Sequence, residues 1–203
     1  MTNGNKKDAA DYICGEVCGE ERGVPPESLK QLIILAVEIA REGREGRKIG
    51  ALFTIGDSDA VIDRSKCLIL DPLAGHPDSK KSIFDYNMRE TVKELAALDG
   101  AFVVNEQGVV VSACRYLDAS STGISLPLGL GTRHMAAASI SRDTRAVAVL
   151  CSESSVVRVF DDGQIISEIL PELWLMSRHS VHLEGPFEEY TDKDLKVISR
   201  AKK

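Results

Sequence analysis

With 203 residues, 43% apolar and 28% charged, the chain has the balance of a soluble globular domain and enough length for one core that needs no staples. A net charge of −6 argues against a nonspecific nucleic-acid binder, which carries a basic patch and a high pI. No run approaches the roughly 18 to 20 apolar residues of a membrane span, and the polar first twenty residues do not read as a secretory signal, so the expected setting is cytoplasmic, without membrane or nucleic-acid partners.

Residues 1–25 read as a polar N-terminal extension, with one helix around Asp8 to Val17. Cys14 and Cys18, four apart there, lack the second ligand pair of a structural zinc site. With Cys67, Cys114 and Cys151 they make an odd count that fits reduced thiols better than a disulfide framework. Residues 26–190 read as the main domain. Pro25 and Pro26 punctuate the chain, and Ser28 and Gln31 have capping-box spacing. Leu29, Leu32, Ile33, Ala36, Val37 and Ala40 then recur at helical spacing, with Gly43 as the stop. Ile49–Ile55 reads as a strand and Cys67–Leu70 as a short apolar element. Residues 71–82 read as a loop, and a helix capped by Asn87 and Glu90 runs to about Leu98.

The spacing next predicts strand Ala101–Val104, a turn over Asn105–Gly108 and strand Val109–Ala113. Residues 115–131, with Ser, Thr, Pro and Gly, read as a long loop of the functional kind. Thr132–Ser141 reads as a helix, Ala146–Cys151 and Ser155–Phe160 as strands, and Asp162-Gly163 as a hairpin turn into Gln164–Glu168. A short helix near Trp174 and a charged tail over 191–203 complete the chain. This order predicts an α/β fold, a mixed central sheet flanked by helices.

Three segments carry chemistry. Asp99-Gly100-Ala101 places a carboxylate where a helix ends and a strand begins, beside a Gly that lets a ligand approach the backbone; taken alone, Asp-Gly is a common turn. Gly129–Ala137, GLGTRHMAA, opens a helix whose first amides suit phosphate, with Arg133 as a forked cation and His134 as a donor or acid–base group. The plain alternative is a capped helix with a surface Arg and His. Ser152-Glu153 follows an apolar strand, where α/β sheets bind ligands or simply turn. His179 and His182, three apart, and His76 in a Pro/Gly loop read more simply as ordinary core or surface residues than as metal ligands.

In order and spacing, DGA at 99–101, Tyr116-Leu117, GTRHxAA at 131–137 and Ser152-Glu153 resemble the diadenylate cyclase domain, also found at the N-terminus of DNA-integrity scanning proteins. The resemblance covers about residues 45–170. It implies condensation of two ATP into cyclic di-AMP and two pyrophosphates across a face-to-face homodimer, with a divalent cation (Mn²⁺ or Mg²⁺, with Co²⁺ a further candidate). It implies that Asp99 holds the metal and favours deprotonation of a 3′-hydroxyl. Gly100 and Ala101 would lie against the nucleotide, with Leu117 and Tyr116 at the adenine. Gly131, Thr132, Arg133 and His134 would bind the triphosphate, and Ser152 and Glu153 the phosphate and metal region. Asp99, Arg133 and His134 are the implied catalytic set. One departure is Met135, where the family pattern has Arg. It removes a positive charge, which Arg142 and Arg145 are candidates to replace, and it keeps open a catalytically inactive ATP or cyclic di-AMP sensor.

Overall fold

The first helix, α1 (Pro26–Glu42), takes its first helical position from Pro26, whose fixed φ and missing N–H suit that place. The structure, a computed structural model, describes residues 22–171, 187–192 and 195–200. The Ser28–Gln31 capping box is not formed: Ser28 lies inside the helix and donates to the Glu106 carbonyl at 2.8 Å, while Gln31 donates to Glu27. The apolar stripe is buried as expected, and Gly43 ends the helix with φ 61°.

Strand β1 (Ala51–Ile55) follows, then α2 (Ser58–Asp63) and β2 (Ser65–Cys67). The short element expected over Cys67–Leu70 is therefore shifted. Only Cys67 is in the strand, and Leu68, Ile69 and Leu70 are exposed, because the strand is defined by pairing with a partner that ends at Cys67. Helix α3 (Tyr86–Leu95) starts earlier than its sequence spacing suggests. Asp85, not Asn87, is the cap, accepting from the Met88 amide at 3.1 Å, and the chain turns after Leu95 instead of continuing to Leu98.

Strand β3 (Ala101–Val104) and β4 (Val110–Leu117) form the expected hairpin across Asn105–Gly108. β4 runs further than the pattern indicates. Arg115, Tyr116 and Leu117 belong to the strand because they pair with Cys67, Lys66 and Ser65. Helix α4 (Thr132–Asp143), β5 (Val147–Cys151), β6 (Val157–Asp161) and β7 (Gln164–Leu170) complete the expected series. Asp162 and Gly163 both have positive φ at the β6–β7 turn, as a tight hairpin requires. The segment read as a charged tail supplies a strand. β8 (Phe187–Asp192) pairs with β9 (Leu195–Arg200), which pairs with β7. Val197 and Ile198 are buried there. The expected helices near Asp8 and Trp174, and His179 and His182, lie outside the described residues.

The described strands form one mixed sheet in the order β2-β4-β3-β1-β5-β6-β7-β9-β8, with β1 and β3 parallel and the remaining neighbours antiparallel. Successive side chains of β1 alternate between its faces. Phe53 and Ile55 join the α1 and α3 side, and Leu52 joins α2 and α4 on the other. The expected mixed sheet flanked by helices is thus a three-layer arrangement with a core on each face of the sheet. No described helix is long and apolar enough to cross a membrane.

The topology gathers the ends of four neighbouring strands at one end of the sheet. Ala51 pairs with Cys151, Leu52 with Ala101, and Ala101 with Arg115. The starts of β1 and β3 and the later parts of β4 and β5 therefore meet.

Candidate active site

A cavity of about 740 Å³ opens at those strand ends, within the range of small-molecule sites. The site residues implied by the resemblance all line it: Asp99, Gly100, Ala101, Tyr116, Leu117, Gly131, Thr132, Arg133, His134, Ser152 and Glu153. The floor is the edge of the α4-side core, with Leu52, Ala101, Leu117 and Leu150 all buried. The lining combines apolar side chains with the charged groups of Asp99, Arg115, Arg133 and Glu153, a mixture that suits a molecule with an aromatic and an anionic part.

Asp99 stands on that rim with its side chain 72% exposed. Its Oδ1 accepts from Arg133 Nη2 at 3.0 Å and from the Gly100 amide at 2.9 Å. The Arg133 guanidinium, then the Gly100 amide, hold the Asp99 carboxyl below the usual carboxylate range. Gly100 is required on two counts. Its φ is +107°, and a Cβ there would lie 2.6 Å from the Cys114 carbonyl carbon. Cys114 itself has φ 55°, where the β3–β4 register shifts. This bulge brings β4 close beneath the Asp99 turn.

Helix α4 begins in the cavity. Its cap residue, Gly131, offers no side-chain hydrogen bond, so the first-turn amides are not capped by a side chain, and the positive end of the helix dipole faces the site. Arg133 reaches across to Asp99, and its Nη1 lies 3.7 Å from Glu153 Oε1. Arg133 is thus held between two carboxylates from separate stretches of chain. His134 turns the other way. Its Nε2 lies 3.1 Å from Arg158 Nη1, and its ring meets Phe160 edge-on at 6.3 Å. Ser152 has a structural task in the β5–β6 turn: its hydroxyl donates to the Val156 carbonyl at 3.0 Å and accepts from the Val156 amide at 3.3 Å. Tyr116 is half-exposed, with Lys66 Nζ 5.0 Å from its ring centroid.

Met135 lines the cavity, but the arginines expected to replace its missing charge do not. Arg142 binds Asp143 and the Thr122 carbonyl, and Arg145 lies 3.7 Å from Asp57. The additional cationic lining comes from Arg115, anchored to Ser65 and the Ile62 carbonyl. Arg115, Gly50, Arg158 and Glu168 were not singled out by motif. Each sits in or beside a strand, where Arg and Glu read as solvent-facing positions. Gly50 matters because a Cβ there would lie 2.5 Å from Arg133 Nη1.

Burial pushes the Cys151 thiol up to about 12, and burial followed by the charges of Asp71 and Asp99 raises that of Cys114. Both are protonated at neutral pH, which excludes them as thiolate nucleophiles. The described cysteines, Cys67, Cys114 and Cys151, are free.

Among the described residues no group of three His, Cys, Asp or Glu side chains gathers to hold a metal alone. One exposed carboxylate beside an amide-rich helix start does fit a hard divalent cation that takes its other ligands from substrate phosphate and water.

Comparison with known proteins supplies the context for this cavity. The family model described as DisA bacterial checkpoint controller nucleotide-binding matches residues 38–165. A diadenylate cyclase of Methanocaldococcus jannaschii is 51% identical over 145 residues, 71% of this chain and 46% of the relative. A diadenylate cyclase of Haloferax volcanii is 40% identical over 152 residues, 73% of this chain and 55% of the relative. The chain spans about half the length of these curated relatives. A crystal structure described as a hypothetical membrane spanning protein from Bacillus cereus shares the fold with TM-score 0.54 at 19% identity, covering 77% of this chain and 68% of that one.

Proposed function

The chain belongs to the DisA bacterial checkpoint controller nucleotide-binding family, and from that premise we propose that it is a diadenylate cyclase, joining two ATP molecules into cyclic di-AMP with release of two pyrophosphates. The observation that carries the reading is the 3.0 Å contact between Asp99 and Arg133. It puts a carboxylate and the start of a phosphate-suited helix within reach of one triphosphate.

In this reading the adenine lies over the Leu52–Leu117–Leu150 floor beside Tyr116, and the triphosphate meets the Thr132–His134 turn. The 3′-oxygen of one ATP attacks the α-phosphorus of the other. The O3′–P bond forms, the bond to the β-phosphate oxygen breaks, pyrophosphate leaves and the hydroxyl proton passes to solvent. The same step in the opposite sense closes the ring. Arg133 and the helix start stabilise charge that builds on the phosphates. Asp99 is an ionised carboxylate and a weak base, since Arg133 depresses its pKa. Its role would be to hold a Mg²⁺ or Mn²⁺ ion, to which its charge and exposure are suited. When bound, that ion would supply Lewis-acid shielding of the phosphates and a lower hydroxyl pKa.

The product is two-fold symmetric and one cavity holds one nucleotide, so we place two copies face to face, with the exposed Asp99 and Glu153 rims meeting. The ATP-dependent reaction belongs with the cytoplasmic nucleotide pool. Met135, a cavity residue without charge, supports the sensor alternative. Incubating the purified chain with ATP and Mg²⁺, Mn²⁺ or Co²⁺ at several protein concentrations, with chromatographic detection of the cyclic dinucleotide, tests the reading. Product is expected. Tight ATP binding without product under every metal would select the sensor, and no ATP binding by calorimetry would remove both.

A further inference from the structure

We infer that Arg158 and Glu168 form a buried positioning pair that fixes His134 as the neutral imidazole carrying its proton on Nδ1. The inference rests on the proposed cyclase reading for its consequence in turnover, but its structural content stands apart from it.

Arg158 on β6 and Glu168 on β7 are register partners across the hairpin, joined Nε to Oε1 at 2.5 Å. Their side chains are 2% and 0% exposed. A charged pair this deep is an unusual way to fill a core. Withdrawing two ions from water costs several kcal/mol per ion, and apolar residues of similar volume commonly do as well or better. The pair therefore calls for a reason beyond stability, and the cavity supplies one. Glu168 takes the Nε edge of the guanidinium, and Nη1 lies 3.1 Å from His134 Nε2. Phe160, two residues along the same face of β6, meets the imidazole edge-on.

The chemistry of the contact is one-sided. A guanidinium has five N–H donors and no acceptor. Nε2 must therefore present its lone pair, which leaves the ring proton on Nδ1. Free imidazole side chains favour the other neutral tautomer, so the pair sets a choice the side chain would not make by itself. In the cyclase reading His134 then meets the triphosphate as an oriented hydrogen-bond donor from a locked ring. Arg133, its neighbour in the chain, supplies the fixed cation. Arg158 and Glu168 touch no reacting atom and act through His134.

The test uses ligand-free, ¹⁵N-labelled protein at neutral pH. Long-range ¹H–¹⁵N spectra, assigned by comparison with His134→Gln, should show His134 as the Nδ1–H tautomer. A wild-type His134 that is cationic or protonated on Nε2 overturns the inference, whatever the turnover. Replacing both partners, Arg158→Met with Glu168→Leu, removes the two buried charges together and should keep the fold. In that protein the ring should shift toward the Nε2–H tautomer, and kcat should fall on the order of tenfold or more, as when an outer partner of a functional side chain is removed. The KM for ATP should change less than kcat. Unchanged tautomer and turnover in the folded double variant overturn the inference. If the double variant does not fold, the wild-type spectrum decides alone. An Nδ1–H His134 in a protein that makes no cyclic dinucleotide sustains the positioning pair and removes only the cyclase reading.

Discussion

Gly50 leaves the space that Arg133 occupies: a Cβ at Gly50 would lie 2.5 Å from Arg133 Nη1 and 3.3 Å from the Cys151 carbonyl oxygen. The residue ahead of β1 thus sets where a guanidinium on α4 can rest. Since the obstructing atom is the far end of a flexible side chain, Gly50→Ala should fold normally and displace Arg133 from Asp99. The expected result is ATP binding weakened about tenfold, roughly 1.4 kcal/mol, by calorimetry, with an unchanged circular dichroism spectrum. Unaltered affinity would show that Arg133 reaches phosphate from another position.

Asp99→Asn should separate chemistry from folding. The Asp99 side chain is 72% exposed, so its ion pair with Arg133 contributes little to stability. The melting temperature is expected to move by no more than about 2 °C, while turnover falls on the order of 10²-fold or more. Wild-type turnover in this variant would exclude Asp99 from the reaction.

The depressed Asp99 pKa gives a signed pH prediction. A carboxyl held below its unfolded value stays ionised as pH falls through the ordinary carboxylate range, near 4. Any stability it adds is present above the unfolded pKa and is lost as pH falls through the lower folded one. Carboxyl ¹³C titration of the ligand-free protein should place the Asp99 midpoint below the ordinary value, and Arg133→Met should move it up, because the hydrogen bond from Arg133 is the largest cause of the depression.

Gly100→Ala should damage the scaffold itself. Here the obstruction is backbone, with Cys114 and Arg115 atoms 2.6 to 2.8 Å from the added Cβ, and φ is +107°. A loss of about 2 kcal/mol or more is expected in urea denaturation. A variant as stable as wild type would mean that the β4 bulge can relax.

Thiol chemistry should be selective among the described cysteines. Cys67 is exposed, Cys114 and Cys151 are buried, and the Cys151 thiol is pushed up to about 12. Mild alkylation of native protein at pH 7.5, mapped by peptide mass spectrometry, should mark Cys67 and spare the other two. Labelling of Cys151 without unfolding would contradict its burial on β5 beside β1.

The cavity-lining motifs were legible because they are contiguous. DGA, GTRHMAA and Ser-Glu each sit at an element end, where a few adjacent letters place both backbone and side chain. Arg158 was hidden for the opposite reason. Within VVRVF, an Arg at period-2 spacing reads as the solvent face of a strand, and only the pairing with Glu168 turns it inward. The reach of β4 to Leu117 was hidden likewise, since Arg115–Leu117 become strand through β2, fifty residues earlier. Residues 191–203 read as a tail because their charges outnumber their apolar residues, yet Val197 and Ile198 are buried where β9 pairs with β7.

The meeting of four strand ends at one end of the sheet has a consequence for folding. The β3–β4 hairpin carries Asp99 and Arg115, but Arg133 and Glu153 join them only when β1 and β5 pair beside it, so no single hairpin or helix contains the whole cavity. Only the fully assembled native state can bind, and a nucleotide at a hundred times its dissociation constant should deepen that state by about 2.7 kcal/mol through mass action. Native-state hydrogen exchange of amides in β1, β3 and β5 should therefore slow together when the cavity fills, because opening any one of these strands empties it.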